Sequence, residues 1–169
     1  LNTTLLLKIN NMKLNKHKLL IFLVDDDAIY LQILASKIKE NCNCEIKTFL
    51  TGEACLDLLD ENPDLVFLDY CLNSQQKNAK NGLQILESIK ARNARIEVVM
   101  LSAQDQLEAA INCIKLGAFD YIVKSETAFV RAEKAIKDFQ KIRLYRNNTI
   151  KTIIVVAIIF VISIIFQIW

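Results

Sequence analysis

Short apolar runs recur along the first three quarters of the chain, separated by stretches with a helical rhythm. "LLIFLV" (19–24), "DLVFL" (64–68), "VVML" (98–101) and "YIV" (121–123) are continuous, as strands covered on both faces are. "CEIKTF" (44–49) alternates in polarity instead, which suits an edge strand. Between the runs, Leu31, Leu34, Ala35 and Ile38 share one helical face, and so do Leu107, Ala110, Ile111 and Ile114. Further helices are predicted around Gly52 to Asp60, from Gly82 to Arg92, and from Thr127 towards Asn147. With three glycines and one proline in the chain, little stops the last helix, and Asn147-Asn148 is the expected break.

Five strands, each followed by a helix, imply a parallel sheet with right-handed crossovers. At this size the expected fold is α/β, a flavodoxin-like doubly wound (βα)5 sheet of order 2-1-3-4-5. Its topological switch point then lies between strands 1 and 3, where ligands bind at the carboxyl ends.

Composition changes this picture at one end. Hydrophobic residues make up 53% of the 169, but "TIIVVAIIFVISIIFQIW" (152–169) holds no charge. As a helix it would be roughly 27 Å long, close to a bilayer's hydrocarbon core. Arg143, Arg146 and Lys151 precede it, so its N-terminal side is expected to stay cytoplasmic. The expected organisation is a leader over 1–17, with Met12 a candidate start, one folded domain over 18–142, a basic linker over 143–151 and a transmembrane helix over 152–169. That makes a single-pass C-terminal anchor in the cell membrane. A net charge of +2 without basic-aromatic interleaving argues against a nucleic-acid partner. Five cysteines, Cys42, Cys44, Cys55, Cys71 and Cys113, with no C-x-x-C pair and no histidine cluster, read as reduced thiols. His17 reads as a solvated leader residue.

The chemistry sits where the strands end. Strand 1 runs into Asp25-Asp26, strand 3 into Asp69, strand 4 into Ser102 and strand 5 into Lys124. Strands 1 and 3 would lie about 4.8 Å apart, crowding three carboxylates together. A hard divalent cation, most simply Mg²⁺, would offset that charge, with Lys124 on the other side and a phosphoryl group held between them. Asp69 would be the attacking carboxylate. Asp27 reads as the start of the following helix.

"DDD", "DLVFLD", "SA" and "GAFDYIVK", in this order and context, resemble the receiver domain of two-component response regulators over roughly residues 18 to 142. The resemblance implies that Asp69 is the phosphoacceptor for a sensor histidine kinase or phosphotransfer protein. It implies that Asp26 and Asp69 bind Mg²⁺ directly, that Asp25 helps through water, and that the Cys71 backbone carbonyl completes the protein ligands. Lys124 would pair with the phosphate. Ser102 and Tyr121 would be the switch pair, acting on the surface of helix 4, strand 5 and helix 5. The implied activity is confined to self-phosphotransfer and autodephosphorylation, with a phosphorylation-dependent homodimer as one output.

Two departures from the family pattern stand out. Its usual glycine, about eight residues after the phosphoacceptor, is here Gly82, thirteen residues on, with Asn73 where proline is usual. Lys124 is followed by Ser125, not by the usual cis proline, so its loop is either trans or strained. The competing reading is a small phosphohydrolase of the haloacid-dehalogenase type using Asp25 and Asp27. The Gly-Thr/Val expected after that pair is missing, and Asp69 would lack a role.

Overall fold

A computed structural model describes residues 18–72, 80–103 and 107–168, giving only the backbone for 161, 162 and 165–168. The leader, with Met12 and His17, and Asn73 lie outside these residues. Two compact units divide at Phe129 and Val130.

In the first unit the chain runs β1 (Leu19–Val24), α1 (Ala28–Asn41), β2 (Cys44–Phe49), α2 (Gly52–Asp57), a 3-10 turn (Leu59–Glu61), β3 (Leu65–Asp69), α3 (Gly82–Arg92), β4 (Glu97–Ser102), α4 (Leu107–Lys115) and β5 (Asp120–Val123). All five strands are parallel, in the order β2-β1-β3-β4-β5. The expected flavodoxin-like sheet is therefore observed, with β2 at an edge. Every residue of β3 is buried, which accounts for its unbroken apolar run. Phe22, Val24, Val66, Leu68, Val98 and Met100 join α2, α3 and α4 in one core cluster through Cys55, Leu56, Ile85, Leu86, Ile89, Ala109 and Cys113. A fully buried Leu, Ile or Phe stabilises by about 1.5–3 kcal/mol, so the central strands carry much of the fold.

The helix predicted over Gly52 to Asp60 is shorter than expected. It closes at Asp57, and the chain tightens into the 3-10 turn before Asn62 adopts a left-handed φ of 54°. On α1, Leu31, Leu34 and Ile38 face inward as their spacing requires. On α4 most of the predicted face is turned outward: Leu107, Ile111 and Ile114 are 74%, 43% and 50% exposed, while Ala110 packs partly buried against the core beside the buried Ala109 and Cys113. The small side chains take the core side of this helix, and the larger ones are left outside.

Helix α5 (Ala128–Ile168) begins at the end of the first unit and forms the second. Ala132, Ala135, Ile136 and Phe139 are buried at helical spacing. No break occurs at Asn147-Asn148. The helix runs through, with the hydroxyls of Thr149 and Thr152 donating to the carbonyls of Tyr145 and Asn148 at 3.0 Å each. Asparagine costs a helix well under 1 kcal/mol, too little to end it without glycine or proline. Among the described residues no helix is long and apolar enough to cross a membrane. The expected transmembrane helix over 152–169 and the anchor built on it are therefore not supported, although the chain is helical as far as Ile168.

Candidate functional site

Strand register alone brings the strand-end residues to one rim. Val24 pairs with Leu68, so Asp25 and Asp69 each follow at the same level on adjacent strands. Asp69 pairs with Leu101, one step before Ser102, and Ser102 pairs with Val123, one step before Lys124. The Lys124 amide donates to the Ser102 carbonyl at 2.7 Å, holding that backbone at the rim. Tyr121 pairs with Met100, deeper in the sheet, and is buried in the core cluster.

The side chains complete the arrangement. One oxygen from each of Asp25, Asp26 and Asp69 lies within 4.8 Å of the others. Asp25 is fully buried, Asp69 is 3% exposed, and Asp26 faces out. Lys124 Nζ lies 2.6 Å from Asp69 Oδ1 and 2.7 Å from Asp25 Oδ2. Burial pushes the Asp69 carboxyl above the ordinary carboxylate value, and the charge of Asp25 adds to it. Lys124 and a backbone hydrogen bond from Cys71 pull the other way without cancelling the rise. Burial works to lower the Lys124 pKa, but the two carboxylates outweigh it and hold the ammonium above the ordinary lysine value. Cys71 itself is exposed, and all five cysteines are free thiols.

These residues fit a hard divalent cation. Ligand oxygens trans across Mg²⁺ stand about 4.2 Å apart, so small side-chain rotations would close the present spread. Asp25 Oδ2 is buried and, although it faces the lysine ammonium, accepts no hydrogen bond of good geometry, leaving a lone pair to offer.

Asp27 has another task. Its carboxylate caps α1, accepting from the amides of Ile29 at 2.8 Å and Tyr30 at 3.0 Å, while its own amide donates to Asp25 Oδ1. The dehalogenase-type alternative, which needs Asp25 and Asp27 to act together, is therefore not supported.

The structure resolves the two departures from the family pattern and adds one contact that the sequence did not announce. Gly82, the first residue of α3, approaches the backbone so closely that a Cβ there would stand 2.2 Å from the Asp69 carbonyl oxygen. The thirteen-residue spacing thus still delivers a glycine to the phosphoacceptor candidate. All described peptide bonds are trans, and the Lys124–Ser125 loop turns through Ser125 N–H to the Val123 carbonyl and Ala128 N–H to the Ser125 carbonyl. Finally, the Tyr30 ring lies under Lys124 Nζ, 4.7 Å from its centroid.

Residues 21–135 match a family model described as the response regulator receiver domain. The chain is 28% identical over 135 residues to the DNA-binding transcriptional regulator NtrC of Klebsiella pneumoniae, covering 78% of this chain and 28% of that protein. It is 34% identical over 105 residues to a putative NtrX-like response regulator of Rickettsia felis, covering 62% of this chain and 21% of that protein. Among solved structures, the response regulator DrrB of Thermotoga maritima superposes with a TM-score of 0.64 at 27% identity, covering 75% of this chain and 54% of that one. The chain thus spans well under half the length of these curated relatives. One of them is named as DNA-binding, so the expectation of no nucleic-acid partner is not supported.

Proposed function

The chain belongs to the response regulator receiver domain family, and from that premise we propose that Asp69 is its phosphoacceptor. As a receiver domain it serves phosphorelay signalling, in which such domains take phosphoryl groups from histidine kinases. The observation that carries the assignment is the meeting of Asp25, Asp26 and Asp69 within 4.8 Å beside a lysine ammonium 2.6 Å from Asp69.

In the proposed reaction an Asp69 carboxylate oxygen attacks the phosphorus of a phosphohistidine in line with the leaving nitrogen. A P–O bond forms, and the P–N bond breaks with its electron pair going to the imidazole. The product is an acyl phosphate on Asp69. Asp25, Asp26 and Asp69, with the Cys71 carbonyl, would hold Mg²⁺, which supplies positive charge against the phosphoryl oxygens. Lys124 gives up its contact with Asp69 and pairs with a phosphoryl oxygen. Ser102, at the end of β4 beside Lys124, donates its hydroxyl to another. Tyr121, in the next strand, then reports the change through the packing of β5 and α4.

The test is phosphorylation of the full chain by acetyl phosphate or a phosphorylated histidine kinase, with and without Mg²⁺, read by intact mass and peptide mapping. A single phosphoryl group on Asp69, dependent on Mg²⁺ and absent from Asp69→Asn, is expected. Label on any other residue would overturn the assignment.

A further inference from the structure

We propose that Tyr30 is a positioning residue for Lys124, its ring face holding the ammonium at the rim while the anion it serves is exchanged. This rests on the phosphoacceptor reading of Asp69.

Lysine is a point charge on four rotatable bonds, and its direction is set by what surrounds its end. The backbone of Lys124 is pinned to Ser102, and the following turn closes through Ser125, with the Ser125 and Thr127 hydroxyls 3.2 Å apart. No proline stiffens that turn, and nothing in it reaches the ammonium. Two carboxylates do, but one of them, Asp69, changes its demand during the reaction. Once Asp69 carries the acyl phosphate, its carboxylate loses the charge that held Nζ, while Asp25 still draws the ammonium inward. The Tyr30 ring is the contact of the three that holds Nζ without drawing it onto a carboxylate, and phosphorylation leaves its attraction unaltered. It lies 4.7 Å from Nζ, within the range where an aromatic face attracts a cation.

The ring is itself fixed. Tyr30 sits in the first turn of α1, where its amide is held by the Asp27 cap. Phe129 stacks with it at 5.9 Å between centroids and 28° between planes. Its hydroxyl is buried and has no hydrogen-bond partner among the described residues, so the working part is the ring and not the phenol. That separates the two obvious substitutions. Tyr30→Phe keeps the face towards Lys124, whereas Tyr30→Leu keeps apolar bulk and loses the face.

The experiment compares wild type, Tyr30→Phe and Tyr30→Leu by phosphorylation rate with acetyl phosphate and Mg²⁺, and by proton NMR of the Lys124 ε-methylene without any phosphodonor. Tyr30→Leu is expected to slow phosphorylation about three- to tenfold, the range of a partly desolvated cation–π contact, and Tyr30→Phe to match wild type. The ε-methylene resonance is expected upfield by ring current in wild type and Tyr30→Phe, and at its ordinary position in Tyr30→Leu. If Tyr30→Leu does not melt cooperatively, Phe129→Leu, which leaves the Tyr30 ring without its backing, takes its place and is expected to give a smaller loss. A wild-type chain that takes no phosphoryl group at Asp69 refutes the parent reading. An unshifted Lys124 resonance in wild type, or a wild-type rate in Tyr30→Leu, refutes the positioning role alone.

Discussion

Replacing Gly82 with alanine would drive a methyl group into the backbone that carries the phosphoacceptor. The new Cβ would stand 2.2 Å from the Asp69 carbonyl oxygen and 2.8 Å from both Cα and the carbonyl oxygen of Tyr70. Ordinary contact begins near 3.4 Å, so one side must move by about 1 Å. Neither side is loose. The Tyr70 amide is tied to the Leu101 carbonyl at 2.7 Å. The start of α3 is held by a capping box between Asn81 and Gln84, and Ile85, Leu86 and Ile89 bury its inner face. Overpacking a core costs about 1–3 kcal/mol, and backbone cannot rotate out of the way, so the upper figure applies. Alanine returns up to about 1 kcal/mol through helix propensity, leaving a net loss of about 2 kcal/mol and a Tm lower by about 8 °C. Because the displaced atom belongs to Asp69, phosphorylation by acetyl phosphate should slow by more than the loss of folded protein explains. Gly52→Ala is the comparison: its Cβ would meet the Ile85 side chain at 2.3 Å and not the backbone of Asp69, so it should lower Tm and slow phosphorylation of the folded fraction less than Gly82→Ala does. Thermal melts by circular dichroism and phosphorylation kinetics decide the matter. A Tm for Gly82→Ala within about 2 °C of wild type, together with a wild-type rate, would refute the reasoning.

Two more predictions concern the charges at the rim. The Asp69 pKa is raised from 3.8 by burial first, so its contribution to stability is fully present below the unfolded value and is lost as pH rises through the folded one. Without Mg²⁺, Asp69→Asn should therefore gain on wild type from about pH 4 upward; urea midpoints across acidic to neutral pH that run parallel would contradict this. Lys124→Ala leaves Asp25 and Asp69, 0% and 4% exposed at their side chains, without the ammonium between them. Removing one partner of a buried pair costs about 3–5 kcal/mol, and the 18% exposure of Lys124 places the loss at the low end. Mg²⁺ should then raise the Tm of Lys124→Ala more than that of wild type, and equal shifts would count against a metal site on these carboxylates.

What could be seen in the sequence follows from the geometry of parallel sheets. When strands start level and run the same way, the residue just past each apolar run lands on a common rim, so a linear pattern becomes a spatial one. Asp25, Asp69, Ser102 and Lys124 were legible for that reason, and β3 for its burial on both faces. The α4 helix shows where this fails. Periodicity reports that Leu107, Ile111 and Ile114 share a face, but not whether that face turns in; the smaller Ala109 and Cys113 took the core side.

The C-terminal helix fails for a different reason, and the contrast with the rim is instructive. A break was expected at Asn147-Asn148 from local propensity, a weak signal of a few tenths of a kcal/mol that any intact run of helical hydrogen bonds overrides. Gly82 and Tyr30 are harder still, because their roles belong to pairs and not to residues. Nothing near position 82 announces the Asp69 carbonyl, and nothing near position 30 announces a lysine at the end of β5. Only the folded domain makes these neighbours. Gly82 was marked by its spacing after a longer loop, but the spacing did not say which backbone atom it would approach. Tyr30 offered only an aromatic one turn after the Asp27 cap, a pattern met on many helices. The residues that bear charge at this rim can thus be read from one dimension, whereas those that aim the charge become visible only in three.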